Sequence, residues 1–253
     1  MGGNQERAYF RDVLPRILLF LLLLSACPAF AAKGNWSRSA TSITPCRSRR
    51  CPTISIPAPD GANIVRCTFV RDEKNDLNIP GIELETSRGS WSLPPLDAEW
   101  LFTEFDVLWS PDSKFIAITG GLNGYTESMR VFEITASGPQ PIDPTVDPAR
   151  DMLRRFPPCR AAGIERSVCE NQEKDPFFNF AAVAWTDSHT LVLMSEVPCG
   201  SLWGGIMCQV MGYEIDLPSG RILRTMTARE FKARWQNSMP WKLDIPEPPE
   251  WQH

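Results

Sequence analysis

The sharpest alternation of apolar and polar stretches runs from Phe105 to Thr119, FDVLWSPDSKFIAIT, where one apolar run ends at a turn and a second begins at once. Pro111 pre-sets φ for the first corner of a tight turn, and Asp112 and Ser113 can fold their side chains back onto the backbone. Phe115 to Ile118 then resumes β-favouring residues, so the pattern predicts a β-hairpin. A weaker copy follows at Ala181 to Met194, AAVAWTDSHTLVLM, again with a Trp closing an apolar run and a turn built on Thr186, Asp187 and Ser188. The two residues in the equivalent place, Trp109 and Trp185, are 76 positions apart, and both are expected to be mostly buried.

The flanking patterns predict further short elements. Ala62 to Val70 and Gly81 to Thr86 read as a strand pair around the charged turn Asp72 to Asp76, which lacks the alternating ligands and the Gly of a calcium loop. Trp91 to Leu96 reads as a Pro-interrupted connection, Gly120 to Gly124 as a flexible loop, and Met129 to Ile134 as a third strand after the first hairpin. That glycine-bearing loop is not followed by the Lys and Ser or Thr of a phosphate-binding loop. Pro148 to Arg155 is a short helix candidate. Thr227 to Trp235 is a stronger one, because Thr227 can cap with Glu230 three residues on, and Ala228, Phe231 and Trp235 fall near one face.

Residues 1–31 carry the marks of a signal peptide: Arg7, Arg11 and Arg16 precede the apolar run Ile17 to Leu24, and Ala29 and Ala31 suit cleavage before Ala32. Leu24-Ser25-Ala26-Cys27 also resembles the lipobox of bacterial lipoproteins, which would make Cys27 an acylated first residue; a retained leader is the third outcome. Residues 32–59, rich in Ser, Thr, Pro and Arg, read as an extended leader, and residues 240–253 as a Pro-rich tail. Seven of the eight cysteines lie beyond residue 31, which fits an oxidising compartment. The close pairs Cys159 with Cys169 and Cys199 with Cys208 suit local disulfides, as does Cys46 with Cys51, which would present Arg47, Arg49 and Arg50 on a tight loop. Zinc is disfavoured, because no C-x2-C spacing occurs and the chain has only two His.

Composition narrows the class. The 253 residues are 43% apolar and 22% charged, an ordinary globular balance, and 23 prolines favour short elements joined by stiff loops over long helices. A formal net charge of −4 argues against a nucleic-acid binder, which needs a clustered excess of Lys and Arg.

WSPDSKFIAI resembles the strand-turn-strand signature of TolB-type and WD40-like β-propeller blades, in which a W-S-P-D-G-K-x-I-A pattern joins two strands of a four-stranded blade. Trp109, Pro111 and Asp112 match it, Ser113 replaces the usual Gly, and the copy at Trp185 and Asp187 lacks the Pro. Phe132-Glu133-Ile134 and Tyr213-Glu214-Ile215 follow the two hairpins in the same order. The resemblance covers about two blades, roughly 100–136 and 178–225. It implies a mainly β protein: a small or partial propeller-like array of three or four irregular blades over residues 60–239, with a disulfide-bearing insertion at 136–178 and a C-terminal helix.

Candidate chemistry is sparse. His189 falls in a predicted surface turn, His253 is the last residue, and Ser201 lies in CGSLWGG rather than in a G-x-S-x-G elbow. Trp109, Trp185 and Trp203 offer either a groove lining for carbohydrate or peptide or, as favoured here, packing between blades. No catalytic residue, metal or cofactor is assigned. The reading is an exported, periplasmic or secreted, non-enzymatic β protein that binds an unknown envelope or extracellular protein and meets membrane only through an anchor or retained leader. The alternatives are a secreted glycosidase-like hydrolase with carboxylate catalysis and a structural envelope protein.

Overall fold

The first four-stranded sheet is an antiparallel meander whose composition alternates. It comprises β2 (Ile54–Pro57), β3 (Ile64–Asp72), β4 (Leu77–Thr86) and β5 (Gly89–Leu93), in that spatial order, following β1 (Thr41–Ile43) in the chain. Ile56, Val65, Cys67, Ile82, Leu84 and Leu93 point inward, while Ser55, Thr68, Glu83 and Ser92 stay exposed on the other face. There Arg66 and Glu85 pair across strands at 2.5 Å. One face on the core and one in water is what period-2 patterning produces.

The second sheet has the order β1-β6-β7-β8-β9, with β6 at Glu104–Trp109, β7 at Phe115–Leu122, β8 at Tyr125–Thr135 and β9 at Gly138–Ile142. The central β7 opens on the continuous apolar run Phe115–Ile118, whose alternate side chains are buried on opposite faces. Phe105, Val107, Trp109, Ile116, Ile118 and Phe132 pack with the first sheet, whereas Leu108, Phe115, Ala117, Met129 and Val131 pack with the third. The third sheet runs β10 (Asn179–Trp185), β11 (Thr190–Glu196), β12 (Val210–Asp216) and β13 (Ile222–Thr227), again an antiparallel meander.

Helices fill the remaining surfaces. α1 (Val146–Arg155) and α2 (Arg166–Lys174) lie between β9 and β10, and α3 (Ala228–Trp235) follows β13. Thr227 and Glu230 form the capping box expected of them, and Phe231 docks α3 on the outer face of the third sheet with Met226, Met239 and Leu243. The computed structural model describes residues 36–43, 53–72, 77–93, 104–122, 125–174, 176–199, 203–247 and 249. The signal-peptide reading of residues 1–31, Cys27 and the Cys46–Cys51 pairing lie outside these. Among the described residues no helix is long and apolar enough to cross a membrane.

Four local expectations are corrected. Gly120 and Gly121 are strand residues of β7 rather than part of a loop, and they lie where the register with β8 shifts by one residue. Trp91 lies in β5, because Gly89 at φ 153 closes a tight turn that returns the chain alongside β4. The helical insertion begins only after β9, which pairs with β8 and completes the second sheet. Within the stretch read as an extended leader, β1 pairs with β6 and β2 with β3, so these residues add strands to two sheets.

Candidate functional site

The two hairpin turns are each held by an aspartate. Ser110 Oγ donates to Asp112 Oδ1 at 2.8 Å and accepts from Phe115 N–H at 2.9 Å, and Lys114 N–H donates to Asp112 Oδ1 at 3.2 Å. Ser113 adopts φ 63, the left-handed conformation that a Gly would take more easily. Asp187 Oδ1 plays the same part downstream, accepting from His189 N–H and Thr190 N–H, both at 2.8 Å. Burial pushes the Asp112 carboxyl up, but hydrogen bonds from Ser110 and Lys114 outweigh it and leave the pKa lowered. The backbone donor of His189 leads the causes that lower Asp187. These carboxylates hold turns and do not converge on a site.

Trp109, Trp185 and Trp203 are engaged in packing. Trp109 is buried against the first sheet, Trp203 is buried with its ring 5.2 Å from that of Phe178, and Trp185 is half-buried and stacks on Phe115 at 6.1 Å. His189 is exposed and sets its ring edge-on to Phe115. Cys159 is bonded to Cys169 and Cys199 to Cys208, with Cα–Cα distances of 4.9 and 4.7 Å. The loops they close meet, since Gly205 N–H donates to Ala162 O at 3.0 Å. Gly204, at φ 59, is needed there: a Cβ would stand 2.4 Å from Ala162 O. Cys67 is free and buried, and burial pushes its thiol up to about 12.

A cleft opens where α1, the start of β12, the start of α3 and the tail come together. It holds about 550 Å³ and is lined by Arg155, Gln209, Met211, Arg229, Ile245 and Glu247, among others. α1 is fixed beside it by a buried carboxylate. Asp151 accepts from Tyr213 Oη at 3.1 Å, from Arg154 Nη2 at 3.0 Å and from Arg155 Nε at 2.7 Å. Burial, and then the Asp151 carboxylate, push the Tyr213 phenol well above its ordinary range, so it stays a neutral donor. Gln209 Nε2 donates to Glu247 O at 2.7 Å and fixes the tail as one wall. The cleft therefore presents Arg229, Glu247 and backbone polar groups around an apolar floor, with Arg155 and the Gln209 amide engaged in its walls, and Arg229 and Ile245 are exposed at its rim.

One carboxyl is different in kind. Glu196, at the end of β11, lies opposite Asn179 and accepts from its Nδ2 at 3.2 Å. Burial raises its pKa, and the Asn179 hydrogen bond only partly opposes that. A carboxyl raised in the folded state contributes stability that is fully present below its unfolded pKa of about 4.3 and is lost as pH rises through the folded value. Glu196→Gln keeps an acceptor for Asn179. Its melting temperature should match wild type near pH 4 and exceed it at pH 7, and paired melts across that range check this.

Neither the Asp151–Tyr213 contact nor the cleft has a local signal, since the cleft's residues come from four separate stretches of the chain. Only the spacing of Asp151 with Arg154 and Arg155 hinted at ion pairs on a helix. Among the described residues no group of His, Cys, Asp and Glu could hold a metal ion.

Among the described residues, the fold is mainly β, with three antiparallel sheets, few helices and two disulfides. No protein-family model matches the chain, and no curated protein matches it in sequence. Solved structures similar to it include the Pyrococcus horikoshii acylaminoacyl peptidase, at 10% identity and TM-score 0.33 over 65% of this chain and 23% of that one. The AtxE2 isopeptidase with Astexin3-dC4 bound is similar at 15% identity and TM-score 0.36, over 83% of this chain and 33% of that one. The chain thus spans a third or less of the length of either, and likenesses at these TM-scores assign it neither a fold nor an activity.

Proposed function

We propose that the chain is an exported, non-enzymatic protein whose three meanders are blades of a partial propeller, and that it binds another envelope or extracellular component. Support for the blade reading comes from the face-to-face order of the sheets, from Ser113 taking a glycine-like φ in the TolB-type turn, and from the two ends of the stack. Among the described residues the first sheet ends it with the polar side chains Ser55, Thr68, Glu83 and Ser92, and α3 and the tail pack on the third. The disulfides Cys159–Cys169 and Cys199–Cys208 favour an oxidising, periplasmic or secreted location, with Cys27 acylation or a retained leader as the membrane link.

The observation that carries binding is the cleft itself. Arg229, Glu247 and apolar groups converge on one open concavity, whose wall is held by the Asp151–Arg155 pair and the Gln209–Glu247 hydrogen bond. Arg229→Glu and Ile245→Asp change only exposed rim positions, so both variants should melt within about 2 °C of wild type. Immobilised wild-type protein should retain a component of an envelope extract that both variants lose. Equal retention by all three would exclude the cleft as the binding surface.

The hydrolase alternative rests on Glu196, whose raised pKa suits a general acid. It requires turnover of a glycoside or ester substrate that Glu196→Gln abolishes without loss of stability.

A further inference from the structure

Residues 36–43 form an arm that lies in a groove made by distant parts of the chain. β1 pairs antiparallel with the edge of β6, Thr41 opposite Val107 and Ile43 opposite Phe105. On the other face of that edge the buried Asp106 accepts from Trp36 N–H at 2.6 Å and Ser37 N–H at 3.3 Å, and Ser42 Oγ donates to its second oxygen. Trp36 is buried and meets the Trp241 ring edge-on at 5.6 Å. Arg38 donates its backbone N–H to Ser238 O at 2.8 Å and its Nε to Met239 O at 2.7 Å. Trp36, Ser37 and Ile43 are each less than a tenth exposed.

This is strand addition carried out within one chain, with the features of peptide capture: main-chain pairing along a sheet edge, a pocket for an aromatic side chain, and a buried carboxylate that reads N–H groups. Residues 44–53 then lead to β2, in a different sheet, so the arm and the body it binds are separate pieces joined by ten residues. A second copy would present the same arm and the same groove. We infer that the groove along β6, closed by Asp106 and the tail at Trp241, accepts residues 36–43 of a second copy, giving an arm-exchanged dimer. The connector sets a high effective concentration for the cis arm, so exchange is favoured only at high protein concentration.

Full-length Thr41→Cys and Val107→Cys chains carrying different tags test this when refolded together at high concentration and oxidised. The double variant, refolded when dilute, should close a 41–107 link within one chain. The mixture should yield a covalent heterodimer with the same link, identified by peptide mapping, and Asp106→Ala in the Val107→Cys chain should cut its yield several-fold. A closed double variant without heterodimer from folded single variants would overturn the inference. So would a heterodimer indifferent to Asp106→Ala, or one formed equally with a control cysteine at exposed Thr68. Sedimentation of the unmodified chain supplies an independent readout: a dimer at high concentration that Asp106→Ala removes supports exchange, and a monomer throughout contradicts it.

Discussion

Trp109→Ala should lower the free energy of unfolding by ~3–5 kcal/mol, the range for removing a large aromatic side chain from a core. Trp109 closes β6, is only 9% exposed, and packs with Ile116 and Phe132 against the first sheet. The second sheet is covered on both faces, so the void has little freedom to collapse. Trp185 holds the matching place in the next hairpin but is half-buried, stacked on Phe115 beside an exposed turn. Its replacement should cost less. Denaturant titration of the two variants measures the difference, and an equal loss would contradict the placement of these rings.

Phe231→Ala should be comparably damaging, at ~3–5 kcal/mol. Phe231 is fully buried and sits directly over Gly212 of β12, where a Cβ would stand 1.9 Å from its Cδ2. The glycine creates the socket and the phenyl ring fills it. With the ring gone, α3 loses its main apolar anchor on the third sheet, and the tail beyond Met239 loses part of its support. Hydrogen exchange of Phe231→Ala should show the amides of α3 deprotected well before those of β11. Gly212→Ala should reach the same end from the other side, since overpacking at this contact forces the helix outward. Unchanged α3 protection in both would contradict this account.

The legible parts of the fold were those that local chemistry determines. The WSPDSKFIAI hairpin, the strand at Met129 to Ile134 and the capped helix after Thr227 carry their signals within ten or fifteen residues. β9 was hidden because GPQPI has two prolines and no apolar alternation; it is a strand because β8 offers it an edge. β1 and β2, at three and four residues, are too short to stand out from the Ser-, Thr- and Pro-rich stretch around them, and they are strands because β6 and β3 offer them edges. The cleft was least legible of all. Arg155, Gln209, Arg229 and Ile245 are unremarkable in sequence, and only the packing of α1 and the tail around the third sheet brings them to one concavity. Asp151 likewise looks like a helix-surface acid until Tyr213 is found beneath it.

A photo-crosslinking residue placed at Ile245, on the cleft rim, tests the binding account most directly when the full chain is expressed and irradiated in intact cells. Binding through the cleft predicts a discrete higher-mass adduct from position 245, lost in the Arg229→Glu background, and none from the same residue at Thr68 on the exposed face of the first sheet. An adduct from position 68 with none from 245 would contradict it.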